Sequence, residues 1–465
     1  MPPFVALVLW LVLLVVLLCF DPARDSRVSP ALWVPVISMF IAGSRNPSQW
    51  LTGAVSMSAA AFEEGNPLDR TISFALILLA IAILMSRSFN WGGFIVRNMT
   101  LIAFLCFALL SVLWSDFPFV AFKRWFRDAG NYLVILVVLS DPRPLEAFRT
   151  VLRRVSYLLV PLSILLIKYY PQLGRAYDVW TGNAQFSGAT TGKNLLGVVC
   201  LVSGLFFFWD TVTRWPERKR QRTKQIIFVN LVFLGMMFWL IRLASSTTSY
   251  VCLALGALVI AAAHSKTFKR RPMLLKVLVP TSFCLYLILA FGLDMNGSMA
   301  GAVGKDPTLT DRTKIWTTVL GMHTNPLIGT GYESFWLGSR LESFWLTAGL
   351  GHLNEAHNGY LEIYLNLGLI GLFLLAGFVI ASYRTICRRL TPFSDLASLT
   401  LAFWIVFLFY CVTEAGFRTG LMWLTFLMGG LTVPRPAADR VRRLAATTWA
   451  PFSEHSWEST GLRTR

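Results

Sequence analysis

Charged residues are scarce in this sequence. Only 14% of the 465 residues are charged, 55% are hydrophobic, and the mean hydropathy is +0.59. Apolar runs of about fifteen residues or more recur from Phe4 to Leu431, as chains that cross a bilayer repeatedly require. The composition therefore excludes a soluble domain. It predicts an all-α polytopic integral membrane protein with about 11–13 transmembrane helices.

Recognisable cysteine patterns are also missing. The seven cysteines lie in or at the edge of apolar runs, without a CxxC motif or regular loop spacing. The sequence thus indicates neither a disulfide framework nor a zinc site, and it predicts no cofactor. A long internal repeat is lacking as well, which disfavours a transporter built from inverted repeats.

The excess of positive charge is best interpreted as a topology signal. A net charge of +18 would suggest nucleic acid as the partner of a soluble chain, but in short membrane loops Lys and Arg mark the cytoplasmic side. The most basic connections fall on one side of a single alternating threading: 142–154, 214–224, 264–276 and 383–390. This threading puts segment 169–194 and the long loop 293–358 outside. It predicts one transmembrane domain, 1–433, and a basic cytoplasmic tail, 434–465.

Hydrophobic runs define the individual spans. Several are shorter than the roughly 20 residues that a transmembrane helix prefers. The predicted spans lie near 4–20, 31–42, 71–86, 99–114, 118–139, 155–168, 195–212, 226–243, 249–263, 273–292, 359–382, 397–414 and 419–433.

The span near 118–139 carries three cations at its predicted outer end: Lys123, Arg124 and Arg127. Each charge within a span costs about 2.5–3.5 kcal/mol on insertion scales, so such residues usually face a polar cavity or a partner. They could snorkel to lipid phosphates, or pair with Asp116 or Asp128. Alternatively, they form part of an outward-facing site for an anionic ligand.

Further cations belong to the same predicted side. They are Arg175, Lys193, Arg312 and Arg418. A cluster of this kind suits a diphosphate, because a guanidinium offers a planar fork of donors and a lysine a point charge. Lys193 and Asn194 are predicted at a helix N-terminus, where free backbone N–H groups favour anions.

Four stretches together carry a resemblance to a known family: 114–125 (WSDFPFVAFKRW), 186–197 (FSGATTGKNLLG), 311–336 (DRTKIWTTVLGMHTNPLIGTGYESFW) and 357–371 (HNGYLEIYLNLGLIG). The chain resembles the superfamily of O-antigen ligases and Wzy-type polymerases, above all exopolysaccharide production proteins of the ExoQ type. The resemblance implies a metal-independent, GT-C-like membrane glycosyltransferase with a core at about 186–382.

The same resemblance implies the partners and the site. The donor would be a glycan on undecaprenyl diphosphate, and the acceptor a glycan or lipid hydroxyl at the outer face of the bacterial inner membrane. Polysaccharide export or chain-length proteins would be further partners. Arg312, and with it Arg175, would bind the diphosphate, and His357 would be catalytic.

Some positions depart from the family pattern. Asp311 precedes Arg312 where Gly is common, and Gly192 precedes Lys193 where His is common. The run SSTTS at 245–249 lacks an Arg that ligases often carry, unless Arg242 substitutes for it. The ExoQ-like stretches and the missing Arg favour a polymerase that joins lipid-linked repeat units. A ligase that hands finished polymer to a lipid A core, and a transporter or flippase for polysaccharide, are the alternatives.

His357 is the candidate general base. On a regular helix it would share one face with Leu361, Tyr364 and Gly368, where the glycine would let a helix or a lipid-linked donor approach. An unperturbed histidine titrates near pH 6.5, and general-base catalysis typically contributes about 10²–10⁴-fold. An interfacial hydrogen-bonding role is the alternative without chemistry.

Other candidates carry two interpretations each. Trp316, Trp336 and Trp345 could stack on sugars, or anchor the loop at the membrane interface. Glu414 is expected to pair with Arg418 or to serve as a second base. The spacing of His352, Glu355 and His357 does not reproduce HExxH, so no metal site is predicted.

Overall fold

The computed structural model describes residues 1–22, 28–52, 65–177, 182, 184–292, 312–349, 353–390 and 395–434. Parts of the predicted outer loop, including Asp311 and His352, lie outside the described residues. So does the predicted tail after Pro434.

The described chain is almost entirely helical. Its α-helices are α1 Pro3–Cys19, α2 Trp33–Ala42, α3 Pro47–Thr52, α4 Pro67–Ser86, α5 Trp91–Arg97, α6 Met99–Leu110, α7 Pro118–Leu139, α8 Pro144–Tyr169, α9 Pro171–Gly174, α10 Lys193–Arg214, α11 Gln221–Ala244, α12 Thr247–His264, α13 Lys266–Arg270, α14 Pro272–Leu287, α15 Arg312–Gly321, α16 Gly338–Ala348, α17 Gly359–Arg389, α18 Asp395–Thr413 and α19 Leu421–Gly430. Short 3₁₀ turns at Pro30–Leu32, Ser111–Trp114 and Trp215–Glu217 and a π turn at Ile288–Gly292 join some of them. A small antiparallel hairpin, β1 Arg175–Tyr177 and β2 Ala184–Phe186, is the exception to the all-α pattern.

Membrane-spanning helices dominate this set. Among the described residues, eight helices are long and apolar enough to cross a bilayer, and the bent pair Trp91–Arg97 with Met99–Trp114 would add a ninth. Shorter apolar helices are Pro3–Cys19, Pro30–Ala42 and Leu421–Gly430. Every predicted span overlaps an α-helix, so the prediction of a polytopic all-α membrane protein is confirmed.

Helices α8, α10 and α18 form the centre of the bundle. Their apolar segments are mostly buried among other helices, whereas α4 and α14 present most of their apolar surface outward. Large side chains that are fully buried fill this centre, among them Trp209 on α10 and Phe403 and Phe407 on α18. The residues that α10 and α18 carry at their ends are thereby held by a well-packed framework.

A buried ionic network ties α8, α10 and α11 together. The carboxylate of Asp210 on α10 is fully buried and lies 2.9 Å from Arg153 Nη2, 3.0 Å from Arg214 Nε and 3.6 Å from Arg149 Nε. Asn230 Nδ2 on α11 donates to the same carboxylate at 3.0 Å. We call these five residues the Asp210 cluster. Buried charges are tolerated when they are paired in this way.

Helix α17 is broken at Gly368, where φ is 63° and ψ is −163°. The outer-loop segment 326–331 lies in the break. Its carbonyls accept from Leu369 and Ile370 N–H, and its N–H groups donate to the carbonyls of Leu365 and Asn366, at 2.9–3.1 Å. These bonds satisfy the backbone groups that the break releases.

Glycine is required at this break. A Cβ on Gly368 would lie 2.2 Å from the carbonyl carbon of Leu327, and the backbone conformation is left-handed. The expected regular stripe along 357–368 is therefore wrong. The close neighbour of Gly368 is the outer loop's own backbone, not another helix.

A second, smaller hydrophobic core covers the start of α17. Helices α15 and α16 pack there with the segment before α17, and we call this assembly the α15–α16 cap. Its buried core is Ile315, Val319, Phe335, Trp336, Leu341, Phe344, Ala348, Ala356 and Leu365. The described part of loop 293–358 is thus folded against the bundle, next to His357.

Candidate functional site

His357 lies just before α17. Asn358 is the N-cap, and its Oδ1 accepts from the N–H groups of Tyr360 and Leu361 at 3.0 and 3.1 Å. His357 itself has a φ of 49°, which is uncommon outside glycine. The chain therefore turns sharply at His357, and its ring is set by this turn rather than by the helix. Backbone strain of this kind clusters at functional sites.

One carboxylate joins three of the predicted site residues. Glu414, at the end of α18, is 5% exposed. Its Oε1 accepts from Arg312 Nη2 at 2.9 Å and from Asn194 Nδ2 at 3.2 Å, and its Oε2 lies 3.5 Å from His357 Nδ1. Glu355 Oε1 lies 2.9 Å from the same Nδ1. We call Asn194, Arg312, Glu355, His357 and Glu414 the Glu414 cluster.

The two carboxylates change the titration of the imidazole. Burial would lower the pKa of His357, but the contacts with Glu355 and then Glu414 outweigh it and raise the pKa to about 10. For Glu355, burial would raise the pKa, but the contact with His357 and then the charges of Arg418 and Arg312 outweigh it and lower the pKa. The two carboxylates therefore favour the imidazolium form of His357 at neutral pH, where an unperturbed histidine would be largely neutral.

Arg418 forms a second centre beside the first. Its guanidinium lies 3.2 Å from Glu362 Oε2, 3.5 Å from Glu333 Oε1 and 3.9 Å from Glu355 Oε2. The expected pair of Arg418 with Glu414 is therefore wrong. Instead, Arg418 pairs with the cap and with α17, while Glu414 pairs with Arg312 and His357.

Glu362 was missed by the sequence argument, although a carboxylate in an otherwise apolar helix is a signal of function. It is 3% exposed and accepts from Trp336 Nε1 at 2.9 and 3.0 Å. It also accepts from the backbone N–H of Ala356, directly before His357. Glu362 thus fixes the backbone that presents the imidazole.

The predicted tryptophans differ in accessibility. Trp336 is 3% exposed and lies edge-on to Phe335 and Phe344, so its ring is not free to stack on a sugar. Trp316 is partly exposed, and its Nε1 donates to Ala356 O at 2.8 Å. Trp345 donates to Leu353 O at 2.7 Å. Of the three, Trp316 is the one that bonds to the residue directly before His357.

The cations of α7 reach the site only in part. Arg124 donates to the backbone carbonyl of Glu333, whose side chain contacts Arg418. Arg127 pairs with Asp128 at 3.0 Å, as one alternative anticipated, and Lys123 lies over the ring of Phe119. Arg124 therefore belongs to the rim of the site.

The remaining predicted cations are placed differently. Lys193 is the first residue of α10, beside Asn194, and is exposed, so the predicted helix start is confirmed. Arg175 donates to Ile167 O at 3.0 Å and lies over Phe186. Arg242 lies over the ring of Phe238. Contacts between Arg175 or Arg242 and the Glu414 cluster are not found within the described residues.

Charge balance is the main electrostatic property of the site. Arg312, His357 and Arg418 each contact a carboxylate, so an incoming anion meets cations that already have partners. Glu355, His357 and Glu414 also offer ligand atoms within 4.8 Å of one another, a set that could hold a metal ion. The arrangement can thus bind an anion by exchange, move a proton, or accept a cation.

This chain is similar to known proteins. The O-antigen ligase family (Wzy_C) matches residues 231–376, which lie inside the predicted core and include Arg312 and His357. The exopolysaccharide production protein ExoQ of Rhizobium meliloti (strain 1021) is 26% identical over 370 residues, which cover 75% of this chain and 79% of that protein. The predicted resemblance is confirmed. Asn194 and Glu414 lie outside the matched family segment.

Proposed function

We propose that this protein is an inner-membrane glycosyltransferase that polymerises undecaprenyl-diphosphate-linked repeat units into exopolysaccharide or O-antigen. The observation that carries the proposal is that Arg312 and His357 both contact the carboxylate of Glu414. Arg312 is predicted to bind the diphosphate and His357 to transfer the proton. The two residues are far apart in sequence, yet the Glu414 carboxylate contacts both. The similarity to ExoQ, a protein named for exopolysaccharide production, supports a polysaccharide as the product.

The chemistry is a displacement at an anomeric carbon. The acceptor hydroxyl oxygen forms the new glycosidic bond while the bond between the anomeric carbon and the diphosphate oxygen breaks. The electron pair leaves with undecaprenyl diphosphate. Arg312 stabilises that developing charge, and Lys193 with the N-terminus of α10 adds further positive potential. The resemblance requires no metal for this step.

The hydroxyl proton passes to the Glu414 cluster. A protonated imidazole cannot accept it, so His357 must first release its proton to Glu355, to Glu414 or to water. The pair of carboxylates provides that route, because each lies within 3.5 Å of His357 Nδ1. The base is thus the coupled group of His357 with its carboxylates rather than an isolated ring.

The surroundings fit a lipid-linked substrate. The polyprenyl chain would lie in the bilayer, and the α15–α16 cap would cover the reacting sugars. Trp316 is the candidate to contact a sugar at the edge of the cap. Export or chain-length proteins would take over the growing polymer.

The deletion phenotype tests the polymerase proposal. Deleting the gene should leave single repeat units on the carrier and remove high-molecular-weight polysaccharide. The description of the matching family as O-antigen ligase favours one alternative, transfer of finished polymer to a lipid A core or another acceptor. Accumulation of full-length polymer on undecaprenyl diphosphate in the deletion strain would support that ligase activity instead.

Reporter fusions test the sidedness. The positions of the basic connections imply that the cap faces the periplasm and the tail the cytoplasm. A periplasmic reporter inserted at Ser339 should be active, and one fused after Arg443 silent. The opposite pattern would put the Glu414 cluster on the wrong side for this reaction.

A further inference from the structure

Glu414 occupies the place that an anionic ligand would need. Its Oε1 receives two donors at once, Arg312 Nη2 from the cap and Asn194 Nδ2 from the first turn of α10. A phosphate oxygen would be bound by the same pair of donors, next to the exposed Lys193. The carboxylate thus fills an anion site formed by side chains from two separate parts of the chain.

The two arginines of the site are held to different degrees. Arg418 has three carboxylates within 3.9 Å: Glu333, Glu355 and Glu362. Arg312, within the described residues, contacts one carboxylate through one nitrogen, although a guanidinium offers five N–H donors. Most of the donor capacity of Arg312 is therefore not used by Glu414, and among the described contacts a single exchange would separate Arg312 from its carboxylate.

Resting on the proposed function, we propose that Glu414 is a positioning residue that yields Arg312 to the diphosphate of the donor. Before the donor binds, Glu414 holds Arg312, Asn194 and His357 in place. When the donor binds, phosphate oxygens replace Glu414 Oε1 on Arg312 and Asn194. The carboxylate then remains beside His357 alone, where Oε2 already lies 3.5 Å from Nδ1.

This exchange has an unusual consequence for binding. A positioning residue usually helps its ligand bind, but here Glu414 competes with the ligand for Arg312. Removing its charge should therefore tighten binding while it slows transfer, because the support of His357 is lost. A merely structural role would weaken both.

The test measures binding of undecaprenyl diphosphate to the purified full chain in detergent, by ligand-induced thermal stabilisation. Glu414→Gln should bind about fivefold more tightly than wild type, the effect of losing one partly buried competing ion pair, and transfer more slowly. Arg312→Ala should bind about tenfold more weakly. Adding Glu414→Gln to Arg312→Ala should give no tightening, because the gain acts through Arg312.

Glu217→Gln is the matched control. Glu217 forms an exposed pair with Arg220 at the far end of α10, so its loss should leave both binding and transfer unchanged. Inorganic pyrophosphate should compete with the probe, and phosphatidylglycerol should not, which distinguishes a diphosphate site from a general headgroup site.

The outcomes separate the two proposals. If Arg312→Ala weakens binding but Glu414→Gln leaves it equal or weaker, the exchange is wrong and the proposed function stands. If Arg312→Ala has no effect, the diphosphate role in the proposed function fails. Should Glu414→Gln not fold, Glu414→Asp, whose carboxylate is withdrawn by one methylene, must still bind more tightly than wild type.

Discussion

Two ionic clusters lie at opposite ends of helix α10, and they are built differently. Asn194 of the Glu414 cluster and Asp210 of the Asp210 cluster are 16 positions apart, about 24 Å along a helix. Asp210 and Arg153 have side chains 0% and 2% exposed, whereas His357 and Glu355 are 21% and 32% exposed. The central carboxylate is sealed in the Asp210 cluster, whereas the imidazole and one carboxylate of the Glu414 cluster are partly accessible.

The difference indicates separate tasks. In the Asp210 cluster several cations converge on one carboxylate, and Asp21 adds a contact of 2.8 Å with Arg154 nearby. These groups join transmembrane helices, and the Asp210 carboxylate on which they converge has no exposed surface. In the Glu414 cluster the donors come from the cap and from α10, and the accepting carboxylate directly follows α18, so a substrate could separate them. We therefore expect loss of folding at one end and loss of chemistry at the other.

The largest effect is expected for Asp210→Ala. Removing the carboxylate leaves the buried Arg153 with only its longer contact to Asp21, at 3.8 Å, and takes the partner of Arg214 away, and such losses cost about 3–5 kcal/mol. The variant should give little monodisperse protein in size-exclusion chromatography. Glu217→Ala, which breaks an exposed pair, is the control. Wild-type yield and melting temperature for Asp210→Ala would show that the cluster does not hold the bundle together.

The next effect concerns transfer. His357→Ala and Arg312→Ala should each lower the transfer rate by about 10²–10⁴-fold, because each removes a group needed for displacement. The amount of folded protein should not change. Arg312→Lys should fail substantially too, because a lysine lacks the bidentate fork. Arg340→Ala is the control on the same side, where Arg340 pairs with Asp116 at 2.7 Å. Full transfer by His357→Ala with purified lipid-linked donor would remove the role in proton transfer.

The pH dependence should show opposite trends in rate and stability. The pKa of His357 is about 10 in the folded protein and about 6.5 in the unfolded chain. The pairing of the imidazolium with its carboxylates therefore contributes its full stabilisation of the fold below about pH 6.5. That contribution is lost as the pH rises through about 10. Transfer should instead rise with pH over that window, since the unprotonated ring is the acceptor.

Glu355→Gln provides the check on this assignment. Removing one of the two carboxylates should move the rise in rate to lower pH, while Glu414, Arg312 and Arg418 remain around the ring. Melting temperature and rate are measured on the same preparations, with His357→Gln as the variant without the titration. A pH profile that Glu355→Gln leaves unchanged would contradict the coupling.

Much of the fold could be predicted because hydrophobic run length directly reports helices in a bilayer. Lys193 at the start of α10 was predicted from its motif and is found there. The break at Gly368 was not predicted, because periodicity treats 357–371 as one run. Gly368 needs its left-handed conformation only because segment 326–331 inserts there, a contact between residues about 40 positions apart that hydropathy cannot report.

The residues of the candidate site could be named from the sequence, but their pairing could not. Arg312 and His357 were identified from motifs, and both lie in the Glu414 cluster. Glu414 was assigned to Arg418 because they are close in sequence, but the sharp connection between α18 and α19 turns Arg418 toward Glu362 instead. Partner choice among several carboxylates depends on how the cap packs, which only the three-dimensional structure provides.

The smallest effect is expected for metal removal. Glu355, His357 and Glu414 could together hold an ion, but Glu414 Oε1 already receives Arg312 and Asn194, and Glu355 Oε2 lies 3.9 Å from Arg418. A divalent cation would add charge to a site whose carboxylates are already paired, and it would have to displace the proton of His357. Treatment with EDTA should therefore leave the transfer rate of purified protein unchanged. If EDTA abolished transfer, Mg²⁺ or Mn²⁺ restored it, and Glu355→Gln weakened that restoration, the cluster would be a metal centre, and the proton-transfer account of His357 would have to be replaced.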